Sequence, residues 1–163
     1  MILLCNDDGF NAEGLRVLRK ELLALDDVTI VAPEKEQSAM GHAITLNQPL
    51  KVRRVEEEGE FIGYAVEGTP ADCIKLAITV LLEKPPQLVV SGINLGGNLG
   101  ICALYSGTVS AATESMVMGV PSIAVSLDTY ENPDFKPAAR FTRKFIPQLL
   151  EKRLPEGVFL ILM

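Results

Sequence analysis

The chain opens on an unbroken apolar run, Met1 to Cys5, that stops at Asn6-Asp7-Asp8-Gly9, and so reads as a buried strand closed by turn formers. From Ala12 to Leu25 the apolar positions Leu15, Leu18, Leu22, Leu23 and Leu25 recur at helical spacing, with Arg16, Arg19, Lys20 and Glu21 on the other side. Val28 to Ala32 predicts a second buried strand, ended by Pro33. The polar stretch from Glu34 to Gln48 is long for a plain connection in a compact domain, which makes it a place to look for function. Leu50 to Val55 and Phe61 to Val66 flank the turn-like Glu56-Glu57-Glu58-Gly59-Glu60 and predict an antiparallel hairpin added to the main sheet.

Thr69-Pro70-Ala71-Asp72 is a helix start: Thr can cap, Pro suits the first helical position, and Asp can close a capping box. That helix is predicted over Pro70 to Leu82. Leu88 to Ser91 is a third core strand, followed by a glycine-rich loop from Gly92 to Tyr105. A helix from Gly107 ends at Gly119 with Pro121 just beyond, Ser122 to Ser126 resumes the strand pattern, and a further helix covers Pro137 to Leu150. Val158 to Met163 is purely apolar and predicts a last strand.

Strands alternating with helices imply an α/β fold: a doubly wound, mainly parallel sheet with helices on both faces and an added β-hairpin, in one domain over residues 1–163. Ligand crevices of such sheets lie at the carboxyl ends of the strands, where Asp7, Asp8, Ser38 and Asn94 all fall. Composition agrees, since hydrophobic residues make up 48% of the chain while aromatics are 6% and Trp is absent, the usage of aliphatic strands covered on both faces.

A net charge of −6 disfavours binding to long nucleic acid. The N-terminus has neither the basic region nor the apolar length of a signal peptide, and no uncharged apolar run can span a bilayer, so no membrane partner is expected. Cys5, Cys73 and Cys102 lie in apolar segments without metal-binding spacing and read as buried, reduced thiols, which fits a cytoplasmic protein.

Two adjacent carboxylates at a strand exit raise each other's pKa, a cost that a divalent cation would remove; the alternative is a plain Asx turn. With the Ser38 hydroxyl and the Asn94 amide they form an all-oxygen donor set that suits Mg²⁺, Mn²⁺ or Ca²⁺ rather than zinc. No nucleophile elbow surrounds Ser38. His42 is the only histidine and stands as an accessory residue, structural or substrate-contacting, with proton transfer also open to it. Tyr105-Ser106-Gly107-Thr108-Val109 opens a helix, where free N–H groups and two hydroxyls can cradle a phosphate or Ser106 can simply cap. Neither the dinucleotide-binding nor the P-loop glycine pattern occurs.

Asn6-Asp7-Asp8-Gly9, Ala32-Pro33 through Gln37-Ser38, Gly68-Thr69-Pro70-Ala71-Asp72-Cys73, Ser91-Gly92-Ile93-Asn94 with Gly96 and Asn98, and Tyr105-Ser106-Gly107-Thr108-Val109 together resemble the SurE (survival protein E) family, in that family's order. The resemblance implies a Rossmann-like domain and a metal-dependent phosphomonoesterase acting on nucleoside 5′- and 3′-monophosphates. It places the metal ligands on Asp7, Asp8, Ser38 and Asn94, with Asp7 or Asp8 also handling the attacking water. Phosphate-site residues fall on Asn98, Ser106, Gly107 and Thr108. Homodimers or tetramers are implied through segments that family members carry beyond the position of Met163. A metal or nucleotide sensor without turnover, and a structural subunit, are the rival readings of the same residues.

Overall fold

The computed structural model describes the whole chain, residues 1–163. In β1 (Ile2–Cys5) every residue is buried, and alternate side chains enter different layers: Ile2 and Leu4 join one core, Leu3 and Cys5 the other. The strands β2 (Val28–Pro33), β3 (Val52–Glu57), β4 (Glu60–Val66), β5 (Leu88–Leu95), β6 (Ser122–Leu127) and β7 (Leu160–Leu162) complete one seven-stranded sheet of order β3-β4-β2-β1-β5-β6-β7. All neighbours are parallel except β3 and β4, the predicted hairpin. Its turn is the two residues Glu58 and Gly59, both at positive φ (52° and 83°), the geometry that suits tight hairpins. The edge strand β3 is exposed and rich in Arg and Glu, which discourages pairing with another chain.

One face is covered by α1 (Glu13–Leu22) and α5 (Lys136–Lys152), whose Leu15, Leu18, Leu22, Ala139, Ile146 and Leu149 pack on the larger core. The other face carries α2 (Pro70–Leu76) and the helix that follows β5; Cys73, Ile74, Ala77 and Ala111 fill the layer between them and the sheet. That second helix is α4 (Gly107–Val117), preceded in the chain by a one-turn α3 (Cys102–Tyr105). Each fully buried Leu contributes about 1.5–3 kcal/mol relative to an exposed one, so these stripes account for the helix placement.

Four local expectations change. Helix α1 stops at Leu22 because the chain tightens there, Leu25 N–H bonding to Leu22 O at 2.9 Å, and this leaves Leu23 and Leu25 exposed instead of on the core face. The helix predicted over Pro70–Leu82 is continuous but widens into a π-helical turn over Ala77–Leu81. Strand β5 runs on through the stretch predicted as loop, since beyond a bulge Asn94 pairs with Ser126 and Leu95 with Leu127. Cys5 and Cys73 are buried, but Cys102 is exposed on α3, which stands clear of the core, so the expectation of three buried thiols fails there. No helix is long and apolar enough to cross a membrane.

Candidate active site

Strands β1 and β5 are neighbours in the sheet, yet the chain leaves β1 toward β2 on one side and leaves β5 toward β6 on the other. That divergence opens a crevice at their carboxyl ends, the expected ligand position in an open parallel sheet. Register sets what lines it: Cys5 pairs with Ser91, so Asp7 and Asp8 lie just beyond one strand while Asn94 lies at the end of the other.

The acidic turn is held from three directions. Asn6 Nδ2 donates to Gly9 O at 3.0 Å, Phe10 N–H to Pro33 O at 2.7 Å, and Gln37 N–H to Asp7 O at 2.7 Å. The last two bonds dock the turn on the loop after β2, which brings Glu36 and Ser38 beside the acidic pair. Asn6 is fully buried and its Oδ1 has no partner, a polar atom left free at the base of the turn.

Asp7 is buried against the start of α4. The Thr108 hydroxyl donates a short hydrogen bond to its Oδ1. A β-carbon at Gly107 would stand 2.6 Å from Asp7 Cβ and 2.9 Å from Oδ2, so only glycine lets the helix approach this closely. Burial raises the Asp7 pKa, and the Thr108 hydroxyl with the N–H groups of Gly107 and Thr108 offsets part of that rise. Asp8 is half-buried and is pushed up to about 6, first by burial and then by the negative charges of Asp7 and Glu36. An ordinary Asx turn would not concentrate unneutralised carboxylates in this way.

Ser38 is exposed at the rim, its hydroxyl donating to Glu36 Oε1 at 2.5 Å. Asn94 Nδ2 donates to Gly96 O at 2.7 Å, which fixes the amide and leaves Oδ1 as its free end. No group of three or more His, Cys, Asp or Glu side chains suited to a metal is present. The donors on hand are therefore two carboxylates, a hydroxyl and an amide oxygen, hard ligands that fit Mg²⁺, Mn²⁺ or Ca²⁺ with water completing the shell.

Asn98 is buried with Nδ2 donating to Ser126 Oγ at 2.8 Å. Ser106 is the N-cap of α4, its Oγ accepting from Val109 N–H at 3.1 Å, and its own hydroxyl proton is still available to donate. The Thr108 hydroxyl is instead committed to Asp7, which makes Thr108 an orienter of the acidic pair in this structure. The first turn of α4 thus serves the Asp7 carboxylate through Thr108, while Ser106 caps the helix.

His42 engages a carboxylate further along α4. Its Nε2 is 2.7 Å from Oε2 of Glu114, a buried carboxylate on α4 whose Oε1 accepts from Lys75 Nζ at 3.0 Å. Sequence reading missed Glu36, Glu114 and Lys75; the one available signal was a Glu inside the otherwise small and apolar face of α4. A cleft of about 370 Å³ lies between the loop after β2 and Val66–Thr69, lined by Lys35, Gln37, Thr45 and Gln48 among others, and neither Asp7 nor Asp8 lines it.

The whole chain is similar to known proteins. The chain is 58% identical over 154 residues to the 5′-nucleotidase SurE of Syntrophus aciditrophicus (strain SB), covering 93% of this chain and 58% of that protein. It is 51% identical over 159 residues to the 5′-nucleotidase SurE of Syntrophobacter fumaroxidans (strain DSM 10017 / MPOB), covering 98% of this chain and 64% of the relative. The chain therefore spans about three fifths of the length of these curated relatives. Its fold superposes on the crystal structure of the SurE protein from Aquifex aeolicus with a TM-score of 0.91 at 42% identity, over 98% of this chain and 64% of that one. The sequence profile described as survival protein SurE matches residues 2–162, almost the whole chain, and with the acidic turn, the bulged β5 and the capped α4 all in place, the chain belongs to the SurE family.

Proposed function

We propose that this chain carries the catalytic site of a metal-dependent phosphomonoesterase that hydrolyses nucleoside 5′- and 3′-monophosphates. The observation that carries the reading is the acidic pair Asp7 and Asp8 at the sheet's switch point, with Asp7 seated against Gly107 and hydrogen-bonded by Thr108 at the start of α4. The names of the relatives, each a 5′-nucleotidase SurE, support the same substrate class.

Asp7, Asp8, Ser38 and Asn94 would hold one divalent cation, Mg²⁺, Mn²⁺ or Ca²⁺. Bound there, the cation supplies Lewis-acid neutralisation of the phosphate charge. Asp7 is locked by Thr108 and keeps one geometry through turnover. Asp8, half-buried and free of a hydrogen-bonded partner, orients the attacking water and takes its proton. The Ser106 hydroxyl at the cap of α4 donates to an equatorial phosphate oxygen, with Asn98 contributing from the loop after β5. The products are the nucleoside and inorganic phosphate. A cytoplasmic setting suits three unpaired thiols. Assembly as a homodimer or tetramer follows from the family resemblance and is read by sedimentation.

The test is inorganic phosphate release from a panel of nucleoside 5′- and 3′-monophosphates with Mn²⁺ or Mg²⁺, repeated with a chelator. Release that the chelator stops, and that Asp7→Asn or Asp8→Asn abolishes in a folded protein, supports the assignment. Binding of nucleotide and metal without phosphate release would mean a sensor instead.

A further inference from the structure

The loop from Glu34 to Gln48 carries Ser38, yet the groups that hold it lie mostly on the far face of the site. Gln37 N–H reaches Asp7 O at 2.7 Å and Gly41 N–H reaches Tyr105 O at 3.0 Å. Past these, two buried carboxylates grip the loop by side-chain bonds. Glu114 Oε2 meets His42 Nε2 at 2.7 Å. Asp72 accepts from Thr45 N–H at 2.9 Å and from the Thr45 hydroxyl at 2.7 Å. Asp72 also accepts from Thr69 N–H at 2.9 Å, and the Thr69 hydroxyl donates to Ala43 O at 2.7 Å, so the α2 cap and the loop share one network.

Glu114 is the less expected of the two. Only 6% exposed, it sits on a helix of small residues that would pack equally well around Ala, and a buried carboxylate is costly unless paired. Burial pushes its pKa up, but Lys75 and His42 outweigh that, and the net direction is down. Glu114 is therefore an anion at neutral pH, and Lys75 balances it independently of His42. The carboxylate fixes the ring of His42 with Nε2 inward, and 37% exposure of that ring marks the outer end of the contact.

We propose that the Glu114–His42 pair is a clamp that positions the Ser38 loop over the acidic turn, with Lys75 keeping Glu114 charged and Asp72 anchoring the far end at Thr45. His42 is then a positioning residue acting through the loop rather than a group that exchanges protons with substrate. The inference rests on the metal-site reading given above for Ser38.

The experiment compares His42→Ala, His42→Gln and Glu114→Ala with wild type by backbone hydrogen exchange at Gln37, Gly41 and Thr45, and by Mn²⁺ titration. The Gln amide nitrogen can stand where Nε2 stands but cannot titrate. Loss of a charge-assisted bond should speed exchange at these amides about tenfold to a hundredfold in His42→Ala and Glu114→Ala. Mn²⁺ affinity should fall about tenfold or more, the usual effect of removing a group that orients a ligand. His42→Gln should recover most of both. Unchanged exchange in His42→Ala, or faster exchange with unchanged Mn²⁺ affinity, would overturn the clamp. Loss of activity in both His42 variants with exchange and Mn²⁺ affinity intact would overturn it in favour of proton transfer. If the wild-type chain binds no Mn²⁺, the metal reading fails separately, and the exchange data alone decide whether the pair holds the loop.

Discussion

Gly107→Ala separates placement of Asp7 from stability of the fold. The added methyl would lie 2.6 Å from Asp7 Cβ and 2.9 Å from Oδ2, where ordinary contact begins at 3.4 Å. Helix α4 packs against β5 and β6 and cannot move freely, so the Asp7 side chain has to retreat by about 0.8 Å. Gly107 lies outside the left-handed region, so Ala meets no backbone strain, and it gains up to about 1 kcal/mol of helix propensity. Overpacking costs typically about 1–3 kcal/mol, so the net loss is about 3 kcal/mol at most and the melting shift up to about 6–12 °C, at about 2–4 °C per kcal/mol for this size. A catalytic group displaced by close to 1 Å loses on the order of 10² in rate. Phosphate release, Mn²⁺ titration and a thermal melt on the same sample read all three quantities. A folded Gly107→Ala protein with full activity would refute the placement of Asp7 at the reacting centre, whereas loss explained entirely by unfolding would refute the stability argument.

The remaining expectations concern Asp8, Asn94 and the thiols. The folded-state pKa of Asp8 is raised from 3.8 to about 6, so its contribution to stability is fully present below about pH 4 and is lost as pH rises through about 6; metal-free protein should therefore show that stability loss in urea titrations across this window, and Asp8→Asn should show less of it, the remainder belonging to the raised pKa of Asp7. Added Mn²⁺ should cancel the same loss, and an Asp8→Asn profile identical to wild type would count against the shift. On the proposed role of its amide as a metal ligand, Asn94→Ala should weaken Mn²⁺ binding by about tenfold with little change in melting, since the side chain is not part of the core; unaltered affinity in calorimetry would remove it from the donor set. A thiol reagent should modify Cys102 quickly in the native protein and reach Cys5 and Cys73 only on unfolding, a difference set by exposure; uniform reactivity would contradict the burial of the latter two.

Period and turn chemistry were enough for the sequence to determine the elements of this protein. Alternating burial cannot be seen in β1, but an apolar run stopped by Asn6-Asp7-Asp8-Gly9 can only be a strand covered on both sides, and the Thr69–Asp72 capping box formed as written, with Asp72 N–H donating to Thr69 Oγ1 at 3.1 Å. The acidic turn at a strand's carboxyl end, and hence the neighbourhood of the site, was legible for the same reason: these signals act over a few residues. Tertiary structure decided what lies between distant residues. Asp7 and Thr108 are 101 positions apart, and His42 and Glu114 are 72 apart; nothing local marks which residue each of them meets. The extension of β5 to Leu95 depends on β6 being there to pair beyond the bulge, and the exposure of Cys102 depends on α3 standing off the core. A periodic pattern encodes which face of an element is buried, but the identity of the residue that meets a carboxylate across the crevice depends on strand order and helix packing, and both of those exist only once the whole sheet has closed around its two layers.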